Sequence, residues 1–393
     1  MTGYSSAHTR MTTTRLLCCS SLLALTLAAS AHANPQGGQV VRGSAGISES
    51  GKTMTIHQHS DKAVIDWNSF NIELDEHTRF EQPSAGSAIL NRVRGDQASQ
   101  ILGRLSANGK VVLVNPNGVH FGPNATVDVN SLIATTSDID NDAFMADGSL
   151  RFTESGKPGA KVVNEGMITA AEAGLVGLVA PQVENHGIIQ ARLGKVEMAS
   201  GDRFTLDLYG DGLVEIGISD EAAEQLIRNT GSISAEGGTI AITAAAAREL
   251  VDSLIQIEGE LKAPTITEHD DGRITIAGKD ADIAVSGELD TSGEHGGGTI
   301  EIGGGKQGQG PLPWADDTTI TETASLKANA THDGDGGEVI VWAKDRTEFA
   351  GTIEAKGAGS GKGGFAETSG KDTLKVTNTA SVDTGGGTWL LDP

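Results

Sequence analysis

Between residues 164 and 384 the chain keeps returning to one small pattern, a turn followed by an apolar residue set among polar ones. Clear copies are Asn164-Glu165-Gly166-Met167-Ile168, Asn185-His186-Gly187-Ile188-Ile189 and Asn229-Thr230-Gly231-Ser232-Ile233. Shorter copies centre on Leu261, Leu289, Leu326, Ile353 and Val382. Successive anchors lie 21, 44, 28, 28, 37, 27 and 29 residues apart, and 44 reads as two units of 22. A second unit interleaves with the first, at Gly238-Thr239-Ile240, Gly272-Arg273-Ile274, Gly298-Thr299-Ile300, Gly337-Glu338-Val339 and, more weakly, Gly364-Phe365-Ala366. A repeat of about 20–30 residues holding two or three short strands is one coil of a β-helix. No coil buries its inward residues alone, so coils stack into a continuous column. The predicted fold class is therefore all-β, a right-handed parallel β-helix with an N-terminal cap. Corner glycines are expected to supply positive φ. Propeller blades of four strands repeat at about 40–45 residues and fit these spacings less well.

Composition narrows the setting. Hydrophobic residues make up 37% of the chain and recur regularly, which argues against disorder. Aromatics are only 4%, so the column must be built from Ile, Val, Leu and Ala. Residues 1–33 read as a signal peptide: Arg10 and Arg15, an apolar or small run from Leu16 to Ala29, then Ala31-His32-Ala33 as a cleavage site. Cleavage there would remove Cys18 and Cys19, the only cysteines. The remaining chain would carry 27 basic and 52 acidic residues, a balance of −25. Such a surface repels nucleic acid and anionic lipid. No nucleic-acid partner is expected.

The N-terminal part has a different texture. Val40-Val41-Arg42-Gly43 and Met54–Gln58 read as strands, and Trp67 and Phe70 are expected to cap the first coil. Ala98–Leu105 has helical spacing and reads as a short helix or turn. Val111–Val114 is a buried strand by length and composition. Asn115-Pro116-Asn117-Gly118 ends it, because Pro116 has no N–H and Asn117-Gly118 suits a tight turn. Two later stretches, Asp220–Arg228 and Thr243–Ile255, have helical composition.

An ordered set of N-terminal motifs resembles the secretion domain of filamentous-haemagglutinin-like exoproteins, the exported component of two-partner secretion. The set comprises Asp66-Trp67-Asn68-Ser69-Phe70-Asn71-Ile72, Phe80-Glu81-Gln82-Pro83, Leu90-Asn91-Arg92-Val93-Arg94-Gly95 and Ser99-Gln100-Ile101-Leu102-Gly103. Asn108-Gly109, Asn115-Pro116-Asn117-Gly118-Val119 and Phe121-Gly122 complete it. An Asn-Pro-Asn-Leu element of some members is absent. The resemblance implies a secretion domain over residues 34–150 and a β-helix repeat region over 151–393 that continues in longer relatives. It also implies a partner, an outer-membrane β-barrel transporter with periplasmic POTRA domains. The chain would cross unfolded and fold at the cell surface. Asn91, Arg92, Asn115, Pro116, Asn117 and Gly118 are the candidate secretion motif.

Catalytic chemistry is weak throughout. Ser131, His120 and Asp128 have no nucleophile-elbow framing. His57 and His59 share a strand face without a third metal ligand at familiar spacing, and His332-Asp333-Gly334-Asp335 occurs once rather than in tandem. No catalytic residue, metal or cofactor is expected. The leading reading is a non-enzymatic, secreted, adhesin-type exoprotein with a receptor on a host or neighbouring cell. The alternatives are a β-helical carbohydrate-active enzyme, and the delivery end of a contact-dependent toxin or haem-acquisition exoprotein.

Overall fold

The computed structural model describes residue 3 and residues 34–207, 212–217, 225–245, 253–266 and 272–392. The expected signal peptide, apart from Gly3, lies outside them. From residue 34 the chain winds repeatedly through three sheets: one of 13 strands that includes Lys110–Val114, one of ten that includes Val119–Phe121, and another of 13 that includes Thr126–Val129. We call these the first, second and third sheets. Their pairings are parallel except at the N-terminal edge. There Gln39–Arg42 runs antiparallel to Lys62–Trp67, and Ala45–Ser50 antiparallel to Thr53–Gln58. The chain is thus a parallel β-helix whose first coil is covered by an antiparallel cap.

The column assembles from the repeated anchors. Ile168, Ile189, Ile233, Leu261, Leu289, Leu326, Ile353 and Val382 lie in direct register on the third sheet. The first seven are fully buried. The second unit forms a matching stack on the first sheet, through Ile240, Ile274, Ile300, Val339 and Ala366. On the second sheet, Asn164, Asn185 and Asn229 form a buried amide ladder. Each Nδ2 reaches the next Oδ1, at 2.8 and 2.7 Å. Burial of one branched aliphatic side chain contributes roughly 1.5–3 kcal/mol, so a stack gains strength with every coil added.

Four expectations are corrected. Ile189 pairs directly with Ile233, so their 44-residue separation is one coil with an excursion, not two coils. The excursion includes Arg203–Asp207 and Gly212–Gly217. Ala98–Leu105 is not helical: Ser99–Ile101 and the start of Arg104–Ala107 are strands on different sheets. Ile101 and Leu105 both face inward across a corner at Gly103, which mimics helical spacing. Gln225–Arg228 and the described ends of Thr243–Ile255 are likewise strand, because coils on either side supply ladder partners that override local propensity. Residues 220–224 and 246–252 lie outside the described set. Finally, most stacked corner glycines do not have positive φ. What requires glycine at Gly231 is proximity, since a Cβ there would stand 2.1 Å from the Gly187 carbonyl one coil below.

Three excursions lie on the outer face of the first sheet. The first contains the helix Asn141–Met145, N-capped by Asp140, and the strand Leu150–Phe152, and the second holds Arg203–Asp207 and Gly212–Gly217. Leu150–Phe152 pairs antiparallel with Arg203–Asp207, which pairs with Gly212–Gly217. Phe152 and Phe204 stack at 4.3 Å. With Phe144 they seal an outer apolar cluster over Val64, Leu90, Val112 and Ile133. Strands Ala88–Val93, Lys110–Val114, Ser131–Thr135 and Leu175–Ala180 are consequently buried on both faces. The third excursion, Gly303–Asp316, rests Trp314 on Trp342 at 4.8 Å, and the Gln307 N–H donates to both carboxylate oxygens of Glu367 at 3.0 Å. Burial pushes the Glu367 carboxyl above its ordinary value, against the opposing hydrogen bond from the Gln307 N–H.

Two predictions follow from these contacts. Gly231→Ala should destabilise the protein by about 1–3 kcal/mol through overpacking. Gly51→Ala, at φ +59° in open space, should cost about 1–2 kcal/mol from backbone conformation alone. Urea midpoints that rank Gly51→Ala clearly above Gly231→Ala in damage would contradict the proximity argument. The raised Glu367 carboxyl disfavours the folded state when charged. Stability should therefore rise as pH falls from neutrality through the folded pKa towards the unfolded value. Glu367→Gln should remove that rise in paired urea titrations at neutral pH and near about pH 5.

Candidate functional site

The strand Lys110–Val114 delivers Asn115 to a corner where three coils meet. Asn115 is fully buried. Its Nδ2 donates to the Gln97 carbonyl and Ser99 Oγ, each at 3.0 Å, which ties the corner to the coil beneath. Its Oδ1 accepts the Asn117 N–H at 2.9 Å, and its carbonyl accepts the Gly118 N–H at 2.9 Å. Pro116 fixes φ at the first central position of this turn. Gly118 has φ +113°, and a Cβ there would lie 2.8 Å from the Lys161 carbonyl. Asn117 Nδ2 reaches the Gly95 carbonyl at 2.9 Å. The Lys157 N–H donates to the Pro116 carbonyl at 2.7 Å, so the returning excursion is pinned to the same turn. All four residues shape one junction between the coils and the excursion.

Asn91 and Arg92 lie one coil below Leu113 and Val114. Asn91 points inward, where its Oδ1 accepts from Trp67 Nε1 at 3.0 Å. Trp67 meets Phe70 edge to face at 5.7 Å, and both rings are buried. The following residues seal the edge of the second sheet. Asn71 Oδ1 accepts the Gln100 N–H at 2.9 Å, and the Ile72 N–H donates to the Gln100 carbonyl at 2.9 Å. An open edge would otherwise offer a template for pairing.

Arg92 points outward yet is only 2% exposed. Its Nε donates to Asp138 Oδ1 at 2.7 Å, and its Nη1 donates to Asp66 Oδ1 at 3.2 Å and to Asn141 Oδ1. Its Nη2 donates to the Ile139 carbonyl. Arg94 joins Asp66 and Asp138 from the rim. This guanidinium fastens the start of the first excursion onto the sheet. Sequence reading singled out Arg92 but missed Asp138 and Asn141, which are distant in the chain. Asp66 was legible only as part of its motif.

A groove of about 480 Å³ runs beside Asn117 and Gly118 along the second sheet. His120 pairs with Glu165 at 2.9 Å, while His186 and Lys161 converge on Glu184 at 3.0 and 2.8 Å. Burial works to raise the Glu184 carboxyl, and the hydrogen bonds from Lys161 and His186 overcome it and hold the group below its usual range. Ser131, His120 and Asp128 lie on three different sheets and form no triad. His57 pairs with Glu81, and Asp333 and Asp335 accept backbone N–H groups of the next coil at Ser360 and Lys362. These acids hold loops together.

Comparison with known proteins gives a consistent outcome. The family model described as TPS secretion domain matches residues 31–291. Among curated proteins, the Heme/hemopexin-binding protein of Haemophilus influenzae (strain ATCC 51907 / DSM 11121 / KW20 / Rd) is 37% identical over 273 residues, 68% of this chain and 29% of that protein. A second Heme/hemopexin-binding protein of Haemophilus influenzae is 33% identical over 265 residues, 61% of this chain and 28% of its own length. The chain thus spans less than a third of the length of these relatives. Among solved structures, the HMW1 secretion domain from Haemophilus influenzae superposes with a TM-score of 0.72 at 30% identity, covering 91% of this chain and all of that one.

Removing the Arg92 fork leaves the buried Asp138 carboxylate and the half-buried Asp66 without their main partner. Arg92→Met should destabilise the protein by about 3–5 kcal/mol. Arg92→Lys should recover only part of this, because an ammonium cannot span the same acceptors. Asn115→Ala should cost about 1–3 kcal/mol, more than Asn117→Ala, whose amide is partly solvated. Equal urea midpoints for Arg92→Lys and the parent protein would refute the role of the fork.

Proposed function

This chain belongs to the TPS secretion domain family, and from that premise we propose that it is a non-enzymatic, adhesin-type exoprotein whose N-terminal coils are read by its transporter before they fold. Members of this family leave the cell through an outer-membrane two-partner-secretion transporter, and this exoprotein is secreted or displayed at the cell surface. The finer reading assigns recognition to residues 34–150, with POTRA domains of the transporter as the periplasmic receptor. Its distal binding target is a receptor on a host or neighbouring cell.

One observation carries the order of events. Asn91 and Asn115 are fully buried and Arg92 nearly so. A partner that reads these side chains can reach them only on an unfolded chain. Once outside, the same side chains close the junctions described above, so folding withdraws the signal that directed export. Stacking suits this route, since each new coil has a finished template below it. The cysteine-free mature chain expected from the sequence has no bridge to obstruct threading.

A second reading rests on the relatives' printed name. They are Heme/hemopexin-binding proteins, and this chain shares up to 37% identity with them. On that reading the exported chain takes part in haem capture. Titration of the secreted protein with haem and with hemopexin separates the two: saturable binding supports haem capture, and its absence supports the adhesin reading.

The double variant Asn115→Ala/Asn117→Ala should accumulate in the periplasm while its expression is unchanged, with export to the medium falling about tenfold or more. Export at the parental level from a strain that depends on the partner barrel would defeat the recognition role.

A further inference from the structure

The chain contains two Asn-Gly dipeptides, Asn108-Gly109 and Asn117-Gly118, both within the ordered N-terminal motifs. Glycine carries no Cβ, which leaves its amide nitrogen open and its backbone free to turn. In an Asn-Gly pair that nitrogen can attack the preceding side-chain amide. At the second pair, Gly118 N gives its proton to solvent base and bonds to Asn117 Cγ. The bond from Cγ to Nδ2 breaks, and ammonia leaves. Water then opens the resulting succinimide at one of its two carbonyls. One product is aspartate. The other is isoaspartate, in which the backbone passes through the side-chain carbon. Water is the only co-reactant, and nothing is oxidised or reduced.

The folded geometry opposes every part of this reaction at Asn117. The attacking nitrogen is occupied, since the Gly118 N–H donates to the Asn115 carbonyl at 2.9 Å. The leaving group is held: Nδ2 donates to the Gly95 carbonyl at 2.9 Å, the Gln97 carbonyl at 3.3 Å and Asn115 Oδ1 at 2.8 Å. Attack would also place negative charge on Asn117 Oδ1, and developing charge is stabilised by donors aimed at it. That oxygen is buried and has no hydrogen-bond partner among the described residues.

The products fit the corner badly. Aspartate puts a carboxylate oxygen where Nδ2 stood, facing the same three acceptors, so it repels them and leaves each without its donor. Isoaspartate lengthens the backbone between Asn117 and Gly118. Val119–Phe121 then falls out of step with Ser99–Ile101 on one side and Lys161–Asn164 on the other. We infer that Asn117 is a deamidation site of the unfolded chain alone: closing the corner arrests the reaction, and a chain that has reacted can no longer close the corner. The inference goes beyond the export reading and does not depend on it. Where export follows that reading, the modification falls on chains held unfolded by a stalled passage and removes them from those able to fold.

The test holds the full mature chain either folded in buffer or unfolded in guanidinium chloride, at the same mildly alkaline pH and temperature. Peptide mass spectrometry reads conversion at both dipeptides. Asn117 should convert in denaturant within about threefold of the rate at Asn108, and about tenfold or more slowly in the folded protein, where reaction waits for local opening. Equal rates at Asn117 in the two states would overturn the inference, as would no conversion there in denaturant while Asn108 converts. Asn117→Asp tests the consequence. Its urea midpoint at neutral pH should fall below that of Asn117→Ala, and the gap should narrow on mild acidification, because a protonated carboxyl donates again to the same acceptors. A midpoint at or above that of Asn117→Ala, or a gap that ignores pH, would contradict it. If Asn117→Asp does not fold at neutral pH, mild acidification should restore folding, and failure to do so would count equally against the inference.

Discussion

The register between successive coils is the constraint on which everything else depends. An inward side chain is dry only if the coils above and below place their own side chains over and under it. The ladder from Ile168 to Val382 satisfies this without a slip, even where an excursion separates neighbouring anchors. The corner glycines serve the same requirement. They let one coil's backbone approach the next closely enough for the parallel hydrogen bonds to form, and at Gly231 the shape of the turn has little to do with it. The Asn164–Asn185–Asn229 ladder shows that the column also tolerates polar groups, provided each amide finds its counterpart one coil away.

That constraint also separates the two ends of the molecule functionally. Later coils need little more than their neighbours. The first coils carry a cap, a sealed edge on the second sheet and an apolar outer face that other segments must cover. Asn91, Arg92 and Asn115 hold these features together: one receives Trp67, one anchors the excursion, and one closes a corner across coils. The residues through which export is proposed to act are therefore the residues that make the beginning of the β-helix possible. On the proposed export route, in which the chain stays unfolded in the periplasm and folds outside, this overlap is an advantage, since recognition and folding compete for the same side chains.

Much of the architecture was legible in the sequence because a β-helix writes its core as a period. The eight anchors were visible as single apolar residues after turns. The excursions were not, since an inserted loop only lengthens a spacing, and 44 residues looked like a doubled unit. The helical reading of Ala98–Leu105 failed because two strands around a tight corner placed Ile101 and Leu105 four positions apart. The outer apolar cluster left a trace: Val111-Val112-Leu113-Val114 is apolar at every position, which signals burial on both faces. What lay beyond sequence reading was partnership at a distance. Nothing near Arg92 announces Asp138, and only the folded geometry brings them to 2.7 Å.

The central claim is that the transporter reads this chain only before its first coils close. The direct measurement compares capture by the purified transporter of two preparations of the same mature protein, one freshly diluted from urea and one allowed to refold completely. The account predicts strong capture of the first and little of the second, with binding lost at the rate at which Trp67 fluorescence reports burial in a protein whose other three tryptophans are replaced by phenylalanine. Equal capture of the fully folded protein would contradict it.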